Sequence, residues 1–523
     1  MDADSHERVE RGARLVGAGI LVSRIVGLVR NKVFAHYFSD TGAADAFSAA
    51  SRIPNVVRNL LGEGTISASF VPLYSAALER GDTRGAQALA NALLGVLLAA
   101  VSLLTAFGVW LAPVLTAVFA GDLAPDTAAL VTRLLRVMFP MTGLMVLSGW
   151  CLGVQNAHRR FFLAYASAAM WSVAQIALLL SAGPRAPNLA ELAWWLSWAT
   201  LVGALLQIAT QAPQVIRLVG SIRPSLNVAA SGLSATLKNF VPVVAALGLF
   251  QISSLVDLRI ASMLPVGAVA SLTYANQIYL LPLSLFGVAT AAATLPELAR
   301  RHSRGEGGLT DGVDRALARV VYYTVPSALA FVAVGDLMAA LLYGGGAFGA
   351  AQQRTVHYIL AGYAIGLSAY ASARVLTSTF HAVQDYRTPL RAALVSIVVS
   401  AAGALALSLP FREHIEATAG IAAGSALGAF VNVGLLWNAT RRRFGAAQYP
   451  ESRRTLVIAL AGAVAAAVLS LGVVRVAASW PDQATALIVL PAFGAVYLLV
   501  THRAGLAEAH RIIGALGRRR AGR

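Results

Sequence analysis

Apolar stretches long enough to cross a bilayer recur along almost the whole chain, divided by short connectors that are often basic. A hydrocarbon core of about 30 Å takes roughly 20 helical residues. In lipid each backbone polar group must be satisfied within its own segment, so a lone apolar run of this length can only be a helix. Such windows predict about fourteen spans, near residues 12–37, 43–79, 86–120, 127–156, 160–181, 189–218, 232–264, 267–303, 310–345, 351–383, 386–410, 417–443, 452–478 and 483–508. Composition agrees: 57% of the 523 residues are hydrophobic and only 12% are charged, against about 25% in soluble domains. Mean hydropathy is +0.68. The expected fold class is an all-α polytopic membrane protein.

The net charge of +17 could suggest nucleic acid, but the excess sits in connectors, where it reads as topology. Arg8, Arg11 and Arg14 begin the pattern. Alternate loops then carry Arg80/Arg84, Arg159/Arg160, Arg217/Arg223, Arg300/Arg301/Arg304, Arg387/Arg391, Arg441–Arg443 with Arg453/Arg454, and Arg518–Arg520. The opposite loops hold little beyond Arg185 and Arg412. An even helix count with both termini cytoplasmic follows, and no nucleic-acid partner is expected. The polar opening residues and the long, charged apolar run after them do not read as a cleaved signal. Cys151 is the only cysteine, which excludes a disulfide framework and a cysteine metal cluster.

A weak internal repeat supports two halves in the same orientation. Phe70-Val71-Pro72-Leu73-Tyr74 leading to Arg80-Gly81-Asp82 is echoed by Thr294-Leu295-Pro296-Glu297-Leu298 leading to Arg304-Gly305-Glu306, with equal Pro-to-Gly spacing. Pro54 and Pro282 correspond upstream, offset by about one turn. The expected division is an N-lobe over 1–222 (spans one to six), a C-lobe over 223–443 (spans seven to twelve), and 444–523 as two further helices with a basic tail.

Charges inside the spans are the most informative residues, because each costs roughly 2.5–3.5 kcal/mol at the centre of a lipid-facing helix. The first two spans hold Arg24, Arg30, Lys32, Asp45, Arg52, Arg58 and Glu63. Asp45 and Arg52, seven apart, share a helix face. Pro54 and the Gly62/Gly64 pair should bend and loosen the second helix. Cations outnumber carboxylates, leaving a cationic remainder for an anion. The planar donor fork of arginine suits phosphate, so Arg24, Arg30 and Arg58 fit a diphosphate headgroup. Lys32, Arg52 and Glu63 read equally well as paired or snorkelling groups. Asp257 is a candidate cation or proton site, or else a partner for an arginine; Asp336, in the ninth span, is left without a role.

Only Lys32 and Lys238 are lysines and neither lies in a phosphate-binding glycine loop, so an ATP-driven motor within this chain is excluded. No carboxylate pair or His/Glu spacing marks an enzyme's metal centre. Neither catalysis nor a bound cofactor is expected. An anion moving outward would be driven by the inside-negative potential, at about 2.3 kcal/mol per charge per 100 mV.

The run Ser23-Arg24-Ile25-Val26-Gly27-Leu28-Val29-Arg30, then Asp45-Ala46-Phe47, Ile53-Pro54-Asn55-Val56-Val57-Arg58, Gly62-Glu63-Gly64 and Ser69-Phe70-Val71-Pro72, resembles the signature hairpin of the lipid II flippases. These form the MurJ (MviN) family of the multidrug/oligosaccharidyl-lipid/polysaccharide (MOP) exporter superfamily. The resemblance continues through Leu281–Gly287, Leu295-Pro296, Tyr343-Gly344 with Ala347-Phe348, and Gln384-Asp385 with Thr388-Pro389. It implies two six-helix lobes in parallel pseudo-repeat plus two C-terminal helices, a central cationic cavity, and alternating access. The implied cargo is an undecaprenyl-diphosphate-linked peptidoglycan precursor, lipid II, moved across the cytoplasmic (inner) membrane. Membrane lipids and cell-wall synthesis machinery are the implied partners, with coupling to Na+, H+ or the membrane potential.

The resemblance maps the family's cavity arginines onto Arg24, Arg30 and Arg58, its acidic partner onto Asp45 and its basic position in span ten onto Arg374; Arg52, Glu63 and Gln277 complete the candidate cargo-binding set. Departures fall mainly in the second half. Asn59 stands where a second arginine is common, and Gln277 and Leu280 stand where many members have Arg and Glu. Gly344–Gly346 replaces another arginine, while Ser396 and Ser400 replace an Asn/Asp pair used for sodium. Other readings are a MOP-type exporter of a different undecaprenyl-linked glycan or amphiphile, a transport-inactive scaffold, or a membrane glycosyltransferase.

Overall fold

The computed structural model describes residues 3–227, 232–288, 290–291, 294, 300, 309–445 and 449–521. These are overwhelmingly helical, and no strand forms among them beyond one isolated Gly345–Phe348 bridge. The helices are α1 (Ala3–Phe38), α2 (Gly42–Leu61), α3 (Glu63–Ser69), α4 (Val71–Glu79), α5 (Thr83–Trp110), α6 (Ala112–Ala120), α7 (Pro125–Ala157), α8 (Phe161–Ala166), α9 (Ala169–Ala182) and α10 (Leu189–Val219). They continue with α11 (Leu233–Ala261), α12 (Ala268–Pro282), α13 (Leu309–Tyr343), α14 (Ala350–Ala382), α15 (Arg387–Ser408), α16 (Thr418–Phe444), α17 (Pro450–Val476), α18 (Asp482–Arg503) and α19 (Ala507–Ala521).

Ten described helical stretches are long and apolar enough to cross a membrane. The other predicted spans fall on α1, on α2–α4, on α11, and on α12 with the π-helical turn Leu283–Val288 that follows it. In α2 the interrupting residues are Asp45, Arg52 and Arg58, among the charges singled out from the sequence. The second predicted span is three helices rather than one, broken at Gly62 and Phe70. The second copy of the internal repeat, at 295–298 and 304–306, lies outside the described residues.

Packing divides the chain into two compact units, Met1–Ser262 and Met263–Arg523. By this criterion α11 groups with the first unit, and α17 and α18 with the second. In the first unit α7 is the central helix, flanked by α2, α5 and α10. A buried polar seam ties it to α10: Gln207 Nε2 donates to Ser148 Oγ at 2.8 Å, and Gln155 Nε2 donates to Gln214 Oε1 at 2.8 Å. Such bonds hold helices together where lipid supplies no hydrophobic drive.

In the second unit α15 and α16 meet along small residues. Gly420, Gly424 and Gly428, four apart, face Leu407, Ala404 and Ser400, and a Cβ on Gly424 would lie 2.2 Å from the backbone nitrogen of Ala404. The helix pair α17–α18 seats Ala459, Ala463, Phe493 and Tyr497 against Tyr322 and Val325 of α13. The Asp314 carboxylate, buried on α13, accepts the Glu451 and Ser452 amides at 2.9 Å each, capping α17. Helix α13 is kinked at Val334 (φ −142°, ψ 30°). There His357 Nε2–H donates to Val332 O at 2.9 Å, and His357 Nδ1 stands 3.7 Å from Asp336, the intramembrane carboxylate left without a role in the sequence.

Candidate functional site

The first helix pair turns at Ser39–Thr41, and Phe34 packs on Phe47 across the turn with ring centroids 5.2 Å apart. At 1.5 Å of rise per residue, Arg30 lies about 12 Å along α1 from this turn and Arg52 about 15 Å along α2. Arg24 and Arg58 follow at about 21 and 24 Å by the same measure. The hairpin therefore carries guanidinium groups at two depths. Asp45 sits near the turn, 1% exposed, in a first turn of α2 capped by Thr41.

Each group has its own surroundings. Arg24 is exposed on α1. Arg30 is half-buried; its Nη2 donates to Asn31 Oδ1 at 2.7 Å and its guanidinium lies 4.6 Å from the Trp171 ring centroid on α9. This cation–π contact orients the arginine. Arg52 and Arg58 are half-buried on α2. Pro54 has no N–H to donate back into the helix, yet α2 runs through it and ends where Gly62 N–H donates to Arg58 O at 2.8 Å. A Cβ at Gly62 would stand 2.4 Å from that oxygen, so the break just beyond Arg58 needs glycine. The Glu63 side chain lies outside the described residues.

Helix α11 packs along α2 and α3. Asn59 Nδ2, where a second arginine was expected, donates to Gln251 Oε1 on α11 at 3.2 Å. Asp257, half-buried on α11, lies in the field of Arg52. Among the described residues no group of His, Cys, Asp or Glu is arranged to hold a metal ion.

Arg374 and Gln277 belong to the second unit. Arg374 Nη2 donates to Tyr370 Oη at 3.3 Å, one turn earlier on α14. Tyr279 of α12 stacks on Tyr363 at 4.5 Å and 20°, and feels the charge of Arg374. Gln277 is half-buried on the same helix, while Leu280 is 44% exposed. The tyrosine cluster at 279, 363 and 370 escaped the sequence reading. Its one signal was the seven-residue spacing of Tyr363 and Tyr370 with Arg374 four beyond, all on one helix face. A π-helical turn directly follows α12, a feature frequent at functional sites.

Long apolar helices, two compact units, and guanidinium groups stationed at depth define a polytopic membrane transporter. The fold is that of the MOP exporters. The structure of a lipid II flippase MurJ in its inward closed conformation superposes with TM-score 0.74 at 20% identity, covering 93% of this chain and 98% of the other. An inward-facing MATE-family multidrug transporter of the MOP superfamily gives TM-score 0.66 at 13% identity, covering 82% and 98%. Residues 34–490 match the family model described as lipid II flippase MurJ. A probable lipid II flippase MurJ of Rhizobium tropici is 31% identical over 459 residues, covering 87% of this chain and 85% of the relative. The lipid II flippase MurJ of Burkholderia cenocepacia is 30% identical over 441 residues, covering 83% and 84%. The chain belongs to the lipid II flippase MurJ family. It is a multi-pass transport protein, not an enzyme. Arg24 and Arg30 precede the matched residues, whereas Asp45, Arg52, Arg58, Gln277 and Arg374 fall within them.

Proposed function

We propose that this protein moves lipid II, the undecaprenyl-diphosphate-linked peptidoglycan precursor, from the inner to the outer leaflet of the cytoplasmic membrane by alternating access. The observation that carries the reading is the two-level ladder of arginines on α1 and α2. Arg24, Arg30 and Arg58 bind the diphosphate, with Asp45 and Arg52 orienting them and Glu63 serving the same hairpin. In a low-dielectric site charge-assisted bonds to phosphate are strong, and alternating exposure carries the bound anion across. Gln277 and Arg374 complete the set of candidate cargo-binding residues. Family membership supports the cargo; the basic connectors support both termini being cytoplasmic.

The working division is an N-lobe over 1–222, a C-lobe over 223–443, and residues 444–523 as an added helix pair and tail. Transport draws on the membrane potential, with Na+ or H+ as a coupling ion and Asp257 its candidate site. Cell-wall synthesis enzymes that consume lipid II outside are the natural partners. The test is complementation: cells depleted of their own flippase should not grow on the Arg24→Ala protein, although it inserts normally. Growth at the wild-type rate would refute the assignment. Loss of polar character at Leu280 favours one second reading, a MOP-type exporter of another undecaprenyl-linked glycan; failure of the wild-type chain to complement, with lipid II accumulating inside, would select it.

A further inference from the structure

Within the second unit a cavity of about 450 Å³ opens between α13, α14, α16 and the first turn of α17. That volume is in the range of small-molecule sites. Leu317 and Val433 supply apolar wall, together with Trp437, whose ring centroid lies 4.3 Å from that of Tyr449. Arg441, in the last turn of α16, and Arg453, in the first turn of α17, bring two guanidinium groups to the same cavity. A second cleft of about 730 Å³ shares Tyr449 and Arg453, so these residues stand between two hollows.

The phenol oxygen of Tyr449 is buried and has no hydrogen-bond partner among the described residues. Buried phenols ordinarily have one. Burial, with the Asp314 carboxylate adding to it and Arg441 opposing, pushes this phenol above its ordinary value, so at neutral pH it can donate. Asp314 is already committed to the Glu451 and Ser452 amides. What remains is two guanidinium forks and one phenol donor beside an apolar wall, at the ends of membrane helices. Basic pockets between such helices suit anionic headgroups, and arginine binds phosphate through paired donors.

We propose that this cavity is a binding site for an anionic glycerophospholipid from the leaflet on the side of the α16–α17 linker. Its phosphate lies between Arg441 and Arg453, with the Tyr449 hydroxyl donating to it, and an acyl chain covers Val433 and Leu456, the latter 44% exposed. Free phosphate would leave that wall wet, and a zwitterionic lipid would bring its own cation against two arginines. The lipid joins α17 to α13 and α16, so its binding stabilises the folded protein. Naming this leaflet the inner one rests on the orientation proposed above; the site itself does not.

The test uses the full-length protein in detergent, read by native mass spectrometry and by thermal unfolding. Probes are dioleoyl phosphatidylglycerol, phosphatidylcholine with the same chains, inorganic phosphate and undecaprenyl diphosphate. Phosphatidylglycerol should bind and raise the midpoint, and the double variant Arg441→Gln/Arg453→Gln should weaken it roughly 10- to 30-fold. Tyr449→Phe, which keeps the ring, should weaken it several-fold and covers the case in which the double variant misfolds. Phosphatidylcholine and phosphate should do neither. Arg24→Ala, which tests the transport reading, should leave phosphatidylglycerol binding unchanged, so the two claims can fail separately. Equal phosphatidylglycerol binding by wild type and both variants would overturn the proposal. So would competition by phosphate alone, and displacement by undecaprenyl diphosphate would instead make the cavity part of the cargo path.

Discussion

The guanidinium of Arg30 on α1 lies 4.6 Å from the centre of the Trp171 ring on α9. This contact positions a cation in the first helix by means of a helix far along the chain. A cation–π contact contributes about 0.5–2 kcal/mol, so Trp171→Leu should weaken binding of an undecaprenyl-diphosphate ligand roughly 2- to 30-fold. Trp171→Phe should retain most of the affinity. Ligand titrations of the three proteins in nanodiscs make the comparison, and equal affinities would remove Trp171 from the site.

Asp257 and Arg52 offer a cleaner division between pairing and ion binding. If the carboxylate serves Arg52, the single variants Asp257→Asn and Arg52→Gln should each destabilise the protein, and the double variant should cost less than their sum. Coupled neighbours typically show 0.5–3 kcal/mol of interaction, to order of magnitude. Denaturation of all four proteins with and without sodium measures it. Strict additivity together with sodium-dependent stability of the wild type alone would assign Asp257 to an ion instead.

Gly424 should be intolerant even of alanine. The added Cβ would meet the backbone nitrogen of Ala404 at 2.2 Å, and no rotamer relieves a backbone overlap; overpacking of this kind costs about 1–3 kcal/mol. Gly424→Ala should lower the thermal midpoint in detergent, whereas Gly434→Ala, where a Cβ meets nothing within 4 Å, should not.

Asp385, in the connector between α14 and α15, yields a pH prediction. Burial raises its carboxyl, but the amide and hydroxyl of Thr388, the charge of Arg443 and the amide of Arg387 outweigh this and hold it below its ordinary value. A carboxylate lowered on folding adds stability that is present above its unfolded value, near 4, and lost as pH falls through the folded one. Asp385→Asn should therefore lower stability at pH 7, and the difference from wild type should shrink only below about pH 4. A difference that vanished between pH 7 and 5 would contradict this assignment.

Most helices were legible because lipid demands long apolar runs. The stretch 127–156 became Pro125–Ala157, and 417–443 became Thr418–Phe444. Breaks within those runs were harder to read, since hydropathy does not report backbone angles. Gly62 and Gly64 signalled loosening in the second span, but nothing marked the kink at Val334 or the π-helical turn at Leu283–Val288. The C-terminal helix Ala507–Ala521 was read only as a basic tail. At the site the arginines stood out because charge is costly in lipid. Tyr279, Tyr363 and Tyr370 did not, because a tyrosine in an apolar helix reads as ordinary core until a partner such as Arg374 is placed beside it.

The central claim is that arginines on the first two helices carry an anionic lipid across the membrane. It is tested most directly by outer-leaflet accessibility of lipid II in cells that depend on this chain. With Arg58→Ala, present in the membrane at wild-type amounts, the accessible fraction should fall to that of depleted cells. Accessibility equal to wild type would contradict the account.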